Sequence, residues 1–251
     1  YARTFRILPK NAHEASRMTA LLVKNVTREG PGMLIEVLAK HNIDYNIIGL
    51  GKEEFPDPRH YSAVFVFGGP DSANDATAKM ANELKRIRET LAAGIPYFGV
   101  CLGMQALVKA AGGEVVKSPV KEVGFNDREG NFFEIELTAA GKAEPIFSGL
   151  NDKLKIFHLH GETVNLKPSI ALLATGKHCT NQVVKVGMKA YGFQGHFELT
   201  PEMLHVWLKA DADLKAVNAE AVMADYAEVR QEYEKAAVSV FTNFLKIAKL
   251  I

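Results

Sequence analysis

Apolar residues along this chain fall into two alternating rhythms. Apolar-rich runs cover residues 19–26, 43–48, 63–67 and 96–100, and 63–67 is nearly unbroken. Runs rich in β-branched and aromatic residues predict strands covered on both faces, as a parallel sheet requires. Between them the rhythm changes. After Pro31 and Gly32, the apolar positions Met33, Leu34, Val37 and Leu38 have the spacing of one helical face. A second helix is predicted over residues 74–93. A third covers 102–111 and is closed by Gly112 and Gly113. Strand and helix alternating in this way predict right-handed crossovers and an open, mostly parallel sheet, hence a three-layer, flavodoxin-like α/β fold. From residue 115 to 186 the segments shorten and turn residues crowd in, which predicts antiparallel strands added at an edge. A further strand-like run covers 183–193. Residues 211–251 read as helical throughout, with Val222, Tyr226, Val229, Tyr233 and Ala237 on one face. The expected organisation is one domain over 18–210 with a helical extension of it over 211–251. Residues 1–17 lack a hydrophobic period and are set apart as an arm, a remnant or an extra strand.

Composition narrows the function classes. The 251 residues are 47% hydrophobic and 24% charged, ordinary for a globular chain with ample core. A net charge of +1 lacks the basic excess of a nucleic-acid binder. No apolar run is long enough to span a bilayer, and no stretch near residue 1 combines a basic start, an apolar core and a small-residue cleavage site. Two cysteines make no disulfide framework. A cytoplasmic location without membrane or nucleic-acid partners is therefore expected.

Candidate chemistry begins at Gly99-Val100-Cys101-Leu102-Gly103. A residue wedged between strand and helix, with a glycine two places to either side, matches a nucleophile elbow with cysteine in place of serine. The sulfur then sits at a helix N-terminus, where the dipole favours thiolate. The N–H of Leu102 points at the space where an oxyanion would form. A plain tight turn uses the same glycines, so the motif needs company. Gly68-Gly69-Pro70 ends the run 63–67 at the sheet edge where open α/β sheets bind ligands, and Gly69 offers a second N–H. His196-Phe197-Glu198 follows the run 183–193. Two residues apart on extended chain, His196 and Glu198 share a face, so a carboxylate can orient the imidazole that serves the thiol.

The set GGP (68–70), GVCLGMQ (99–105), FHLHGETV (157–164), NQVV (181–184) and YGFQGHFE (191–198) resembles the class I, triad-type glutamine amidotransferases. It is most like free-standing members similar to the glutaminase domain of GMP synthetase, and the likeness spans residues 19–208. The resemblance implies that Cys101 attacks the amide carbon of glutamine or a γ-glutamyl compound. Gly69 and Leu102 would hold the oxyanion, and His196, oriented by Glu198, would protonate the leaving ammonia and then activate water. Gln105 occupies the family's substrate-binding position. His160 and Glu162 occupy its His-Gly-Asp segment, shaping the pocket, with His160 beside the substrate. No cofactor and no metal are implied; a separate synthetase would receive the ammonia. Three departures bear on substrate identity. Phe197 replaces a proline, which would leave the strand end freer. Gly195 replaces a bulkier residue, which would widen the pocket or add mobility. Glu162 replaces an aspartate.

Other residues read more simply. Cys179 beside His178 has no second pair at zinc-ligand spacing, so packing is expected. His158 and His160 alternate along a strand, of which only one face can meet the site. Gly49 and Gly51 lack the third glycine of a dinucleotide fingerprint. The charged run 85–89 reads as a solvated helix face. No G-x-x-x-x-G-K-[ST] loop marks a synthetase in these residues. Besides an ammonia-donating glutaminase, two readings stay open: a stand-alone γ-glutamyl hydrolase, and a binding or regulatory protein that kept the fold without the activity. A cysteine peptidase on a similar sheet would carry histidine directly after the cysteine, where this chain has Leu102.

Overall fold

The computed structural model describes residues 18–251, so the expected arm 1–17 lies outside the described residues. The apolar runs form strands β1 (Thr19–Lys24), β2 (Asp44–Gly49), β3 (Ala63–Val66) and β4 (Tyr97–Val100), separated by helices α1 (Leu34–Lys40) and α2 (Ala78–Ala92). Helix α3 (Leu102–Ala110) follows β4 after a single residue. Then come β5 (Glu114–Gly124), β6 (Glu134–Leu137), the short α4 (Ala139–Ala143), β7 (Lys153–Lys155), β8 (His158–Asn165), β9 (Ile170–Gly176), β10 (Val183–Val186) and β11 (Ala190–Phe193). Helices α5 (Pro201–Ala210) and α6 (Ala219–Ile247) close the chain.

Nine strands make one sheet in the order β2-β1-β3-β4-β11-β10-β9-β6-β7. The first five are mutually parallel, and the rest extend the edge antiparallel, as the shortened segments predict. Alternation along the central strands sorts their side chains onto two faces. Leu21, Val23, Val64, Val66 and Tyr97 pack with Met80, Leu84 and Ile87 of α2 and Leu107 of α3. Leu22, Phe65 and Phe98 pack on the other face with α1 and α6. Phe244 of α6 meets Phe65 and Phe98 at ring distances of 5.0 and 5.2 Å, so the last helix covers the centre of the sheet.

Four sequence readings are corrected. Helix α2 starts at Ala78 rather than 74, because the Thr77 side chain accepts the Met80 N–H and caps it there, while Asp75 ties a turn back to Ser72. The run 183–193 is two antiparallel strands, reversed at Gly187 with φ +58°, a conformation glycine adopts without strain. Residues 211–251 are not helical throughout: Asp211 accepts the N–H of Asp213 and organises a 3₁₀ turn (Leu214–Ala216), and Asn218 then caps α6. Finally, β5 and β8 leave the edge of the main sheet and pair with each other as a separate ribbon.

Candidate active site

The turn between β4 and α3 carries Cys101 at φ +51° and ψ −107°, a backbone state that costs a non-glycine residue about 1–3 kcal/mol. The surrounding packing holds it. A Cβ on Gly99 would stand 2.5 Å from the carbonyl carbon and oxygen of Gly103, and a Cβ on Gly103 would strike the carbonyl oxygen of Val66. The elbow is therefore pressed between β3 and α3 at distances only glycine permits. Leu102 is the first residue of α3, so its N–H has no acceptor within the helix. Gly69 lies beside it: a Cβ there would be 3.5 Å from the Leu102 side chain.

His196 is fully buried and held on all sides. Its N–H donates to Phe157 O at 2.8 Å, its carbonyl accepts the Tyr233 hydroxyl of α6 at 2.8 Å, and its ring lies edge-on to Trp207 at 5.0 Å. Nδ1 bonds Glu198 Oε1 at 2.7 Å, which leaves Nε2 without a partner among the described residues. Burial by itself pushes the imidazole pKa down. The Glu198 charge and bond, together with the Cys101 sulfur, outweigh it and hold His196 well above its ordinary value. Gly68 links the two groups: a methyl there would lie 3.1 Å from His196 Cε1 and 3.4 Å from Cys101 Cβ. Cys101, His196, Glu198, Gly69 and Leu102, scattered in sequence, thus converge on one point.

The wall is built by β8 and the segment before His196. The Cys101 thiol faces Leu159 O at 3.7 Å and receives Gln194 Nε2 at 3.8 Å. Gln105 donates to Glu162 O at 3.2 Å and to Gln194 Oε1 at 3.4 Å. Both ring nitrogens of His160 are engaged, Nε2 by Glu122 at 2.8 Å and Nδ1 by Glu162 O at 3.0 Å, so His160 shapes the wall. The rings of His158 and His160 touch at 5.1 Å, on the same side of β8. Burial drops His158 to about 3 and keeps it neutral. The space opened by Gly195 is already filled, since a Cβ there would meet Ile156 at 2.6 Å and His158 at 2.9 Å; the pocket is not widened. Phe197, in place of proline, stacks on Tyr233 at 6.0 Å, so the segment is pinned rather than freed. Glu162 accepts the Ser72 hydroxyl at 3.0 Å.

Several of these residues escaped the motif reading. Gln194 lies inside a quoted motif, but nothing in its spacing marks a sulfur contact. Glu29 comes from the loop after β1 and reaches the space over Gly68. Glu122, His160 and Cys179 bring one ligand atom each within 4.8 Å of one another and are the group that could hold a metal ion. Hydrogen bonds already serve all three: Glu122 also accepts from Gln182 at 3.0 Å, and Cys179 meets the Thr163 hydroxyl at 3.1 Å. Among the described residues, no helix is long and apolar enough to cross a membrane.

The chain is 27% identical over 196 residues to the glutamine amidotransferase-like protein YfeJ of Salmonella typhimurium, covering 76% of this chain and 79% of that one. It is 30% identical over 149 residues to the glutamine-hydrolysing GMP synthase of Edwardsiella ictaluri, covering 55% of this chain but 26% of the synthase. Identity to the γ-glutamyl-L-1-hydroxyisopropylamide hydrolase of a Pseudomonas species is 28% over 143 residues, 56% of this chain and 48% of the hydrolase. The solved glutamine amidotransferase of Methylobacillus flagellatus superimposes with a TM-score of 0.76 at 26% identity, over 92% of this chain and 95% of that one. Residues 31–209 match the family glutamine amidotransferase class-I, a span that encloses the elbow, both glycines and the His196–Glu198 pair. The chain belongs to the class-I glutamine amidotransferases.

Proposed function

We propose that this protein hydrolyses the side-chain amide of glutamine through a γ-glutamyl thioester on Cys101, releasing ammonia for a separate synthetase. The carrying observation is the buried His196–Glu198 pair, closed at 2.7 Å, whose remaining ring nitrogen is unpartnered beside a cysteine in elbow conformation. Sulfur attacks the amide carbon, and the oxyanion is taken by the N–H groups of Gly69 and Leu102. His196 Nε2 gives its proton to the departing nitrogen as the C–N bond breaks. The same nitrogen then takes a proton from water, which opens the thioester and frees glutamate. Glu198 holds the imidazole in the required tautomer and balances its charge. The raised pKa of His196 supports an imidazolium ready to donate. Gln194 reaches the sulfur at 3.8 Å, and Gln105 donates to Gln194 at 3.4 Å.

A second reading, a stand-alone γ-glutamyl amide hydrolase, is favoured by the likeness to the Pseudomonas hydrolase, whose printed activity is of that kind. One assay separates the two: glutamate release from L-glutamine and from a γ-glutamyl dipeptide, for wild type, Cys101→Ala and Cys179→Ala. Cys101→Ala is expected to abolish turnover, while Cys179→Ala, whose thiol is engaged by Thr163, is expected to leave it within about twofold. Dipeptide turnover well above glutamine selects the stand-alone reading. Slow glutamine turnover that rises with added synthetase selects the first. Equal loss in both variants would sink the site assignment.

A further inference from the structure

Glu29 is a buried acid that the reaction described above leaves unused. It is 3% exposed, so its carboxylate is almost wholly withdrawn from solvent. Its ion-pair partner, Arg28, stands 3.7 Å from Oε1 and is itself committed to Asp211 at 2.8 Å. A carboxylate this buried, held by one long ion pair, is costly and has capacity for a further donor. The other oxygen, Oε2, occupies the space above Gly68, so that a Cβ on Gly68 would collide with it; the same point is 3.1 Å from His196 Cε1 and 3.4 Å from Cys101 Cβ. Glu29 Oε2 thus faces the gap between nucleophile and imidazole. The loop that carries it is anchored at the site: Met33 N–H donates to Glu198 O at 2.9 Å, Gly32 lies against the same carbonyl, and Trp207 Nε1 holds Arg28 O at 2.9 Å. Burial raises the Glu29 pKa, while the charges of His196 and Arg28 oppose the rise.

A γ-glutamyl amide attacked by Cys101 presents three groups to this site. The oxygen turns to the N–H groups of Gly69 and Leu102, the acyl chain leads away, and the nitrogen must approach His196 Nε2 to be protonated. Next to that ring edge stands Glu29. Resting on the proposed thioester reaction, we propose that Glu29 Oε2 accepts an N–H hydrogen bond from the scissile amide nitrogen and holds it for protonation by His196. Glu29 takes no proton: the C–N electron pair stays on nitrogen, the new N–H proton comes from His196, and sulfur keeps the acyl group as thioester. The substrates so favoured are primary and singly substituted γ-glutamyl amides, which keep an N–H on the leaving nitrogen. An ester of the same acid has none to offer.

The test compares γ-glutamyl methylamide with glutamic acid γ-methyl ester as substrates of the full chain, in wild type, Glu29→Met, Glu29→Gln and Cys101→Ala. The ratio kcat/KM reports the steps up to acylation, where the two substrates differ. Met matches Glu in length and accepts no strong hydrogen bond, so Glu29→Met is expected to lower amide kcat/KM by roughly tenfold to a hundredfold, the range for a charge-assisted hydrogen bond. Ester kcat/KM should stay within about twofold. Glu29→Gln, which keeps an acceptor oxygen, should fall between wild type and Glu29→Met on the amide. Equal losses on amide and ester would show a merely structural role and overturn the proposal, as would an undiminished amide rate. Absence of Cys101-dependent turnover in the wild type would instead overturn the thioester reading, and this role with it.

Discussion

Removing one oxygen atom from α6 should reach the candidate site. Tyr233 is fully buried, and its hydroxyl donates to the carbonyl of His196 at 2.8 Å. Its ring also stacks on Phe197 at 6.0 Å and meets Phe125 edge-on at 5.5 Å. Tyr233→Phe keeps the ring contacts and deletes the hydroxyl, which donates to the His196 carbonyl and also meets the Leu199 backbone, at a cost of about 1–3 kcal/mol. For a chain of this size each kcal/mol lowers Tm by roughly 2–4 °C, so a fall of about 2–12 °C is expected by calorimetry. The effect on catalysis follows from geometry. The lost bond fixes the backbone of the residue whose ring must meet both Cys101 and Glu198, and small displacements of such a group are expensive. Glutamine turnover should drop about tenfold with KM little changed. A variant with wild-type Tm and wild-type kcat would refute the view that α6 braces the imidazole, and would reduce the helix to a cover for the sheet.

Two further predictions concern the scaffold. Glu83 of α2 is fully buried behind the Gly68–Gly69 turn, accepts Asn25 Nδ2 at 2.9 Å, and is raised by burial from 4.5 to about 7. Because the folded state keeps this proton longer than the unfolded chain does, its contribution to stability falls as pH rises from about 4.5 to 7; above that the penalty is complete, on the order of 3 kcal/mol. Glu83→Gln keeps the acceptor and offers a donor to the unpartnered Asn25 Oδ1. Urea midpoints should therefore favour the variant at pH 8 and match wild type near pH 4; parallel pH profiles would refute the assignment. Gly103→Ala drives a methyl into the Val66 carbonyl of a central strand and should cost about 3 kcal/mol or more, whereas Gly161→Ala, whose methyl meets only the Lys121 side chain at 3.4 Å, should cost less than about 1 kcal/mol. Similar melting temperatures for the two would contradict the packing described for the elbow.

Much of this protein was legible as a string. Short apolar runs, helical spacing and glycine or proline at the joints identified strands and helices because those signals are local: side-chain period and backbone freedom act within a few residues. Where a local signal was missing or weak, boundaries moved, as at Thr77, Gly187 and Asn218, whose caps and turn carry the correction. The elbow was readable for the same reason, since Gly99, Cys101 and Gly103 need one another within five positions. His196 and Glu198 were readable because they lie two residues apart on one extended segment. Tertiary structure alone decided the rest. Glu29 arrives from the loop after β1, Tyr233 from α6, and Glu122, His160 and Cys179 from three separate strands and loops. Their partners are set by strand order and by which face each helix buries, and no spacing along the chain encodes those. The filling of the Gly195 gap by Ile156 and His158 has the same origin. A sequence shows that a side chain is absent, and only packing shows what takes its place.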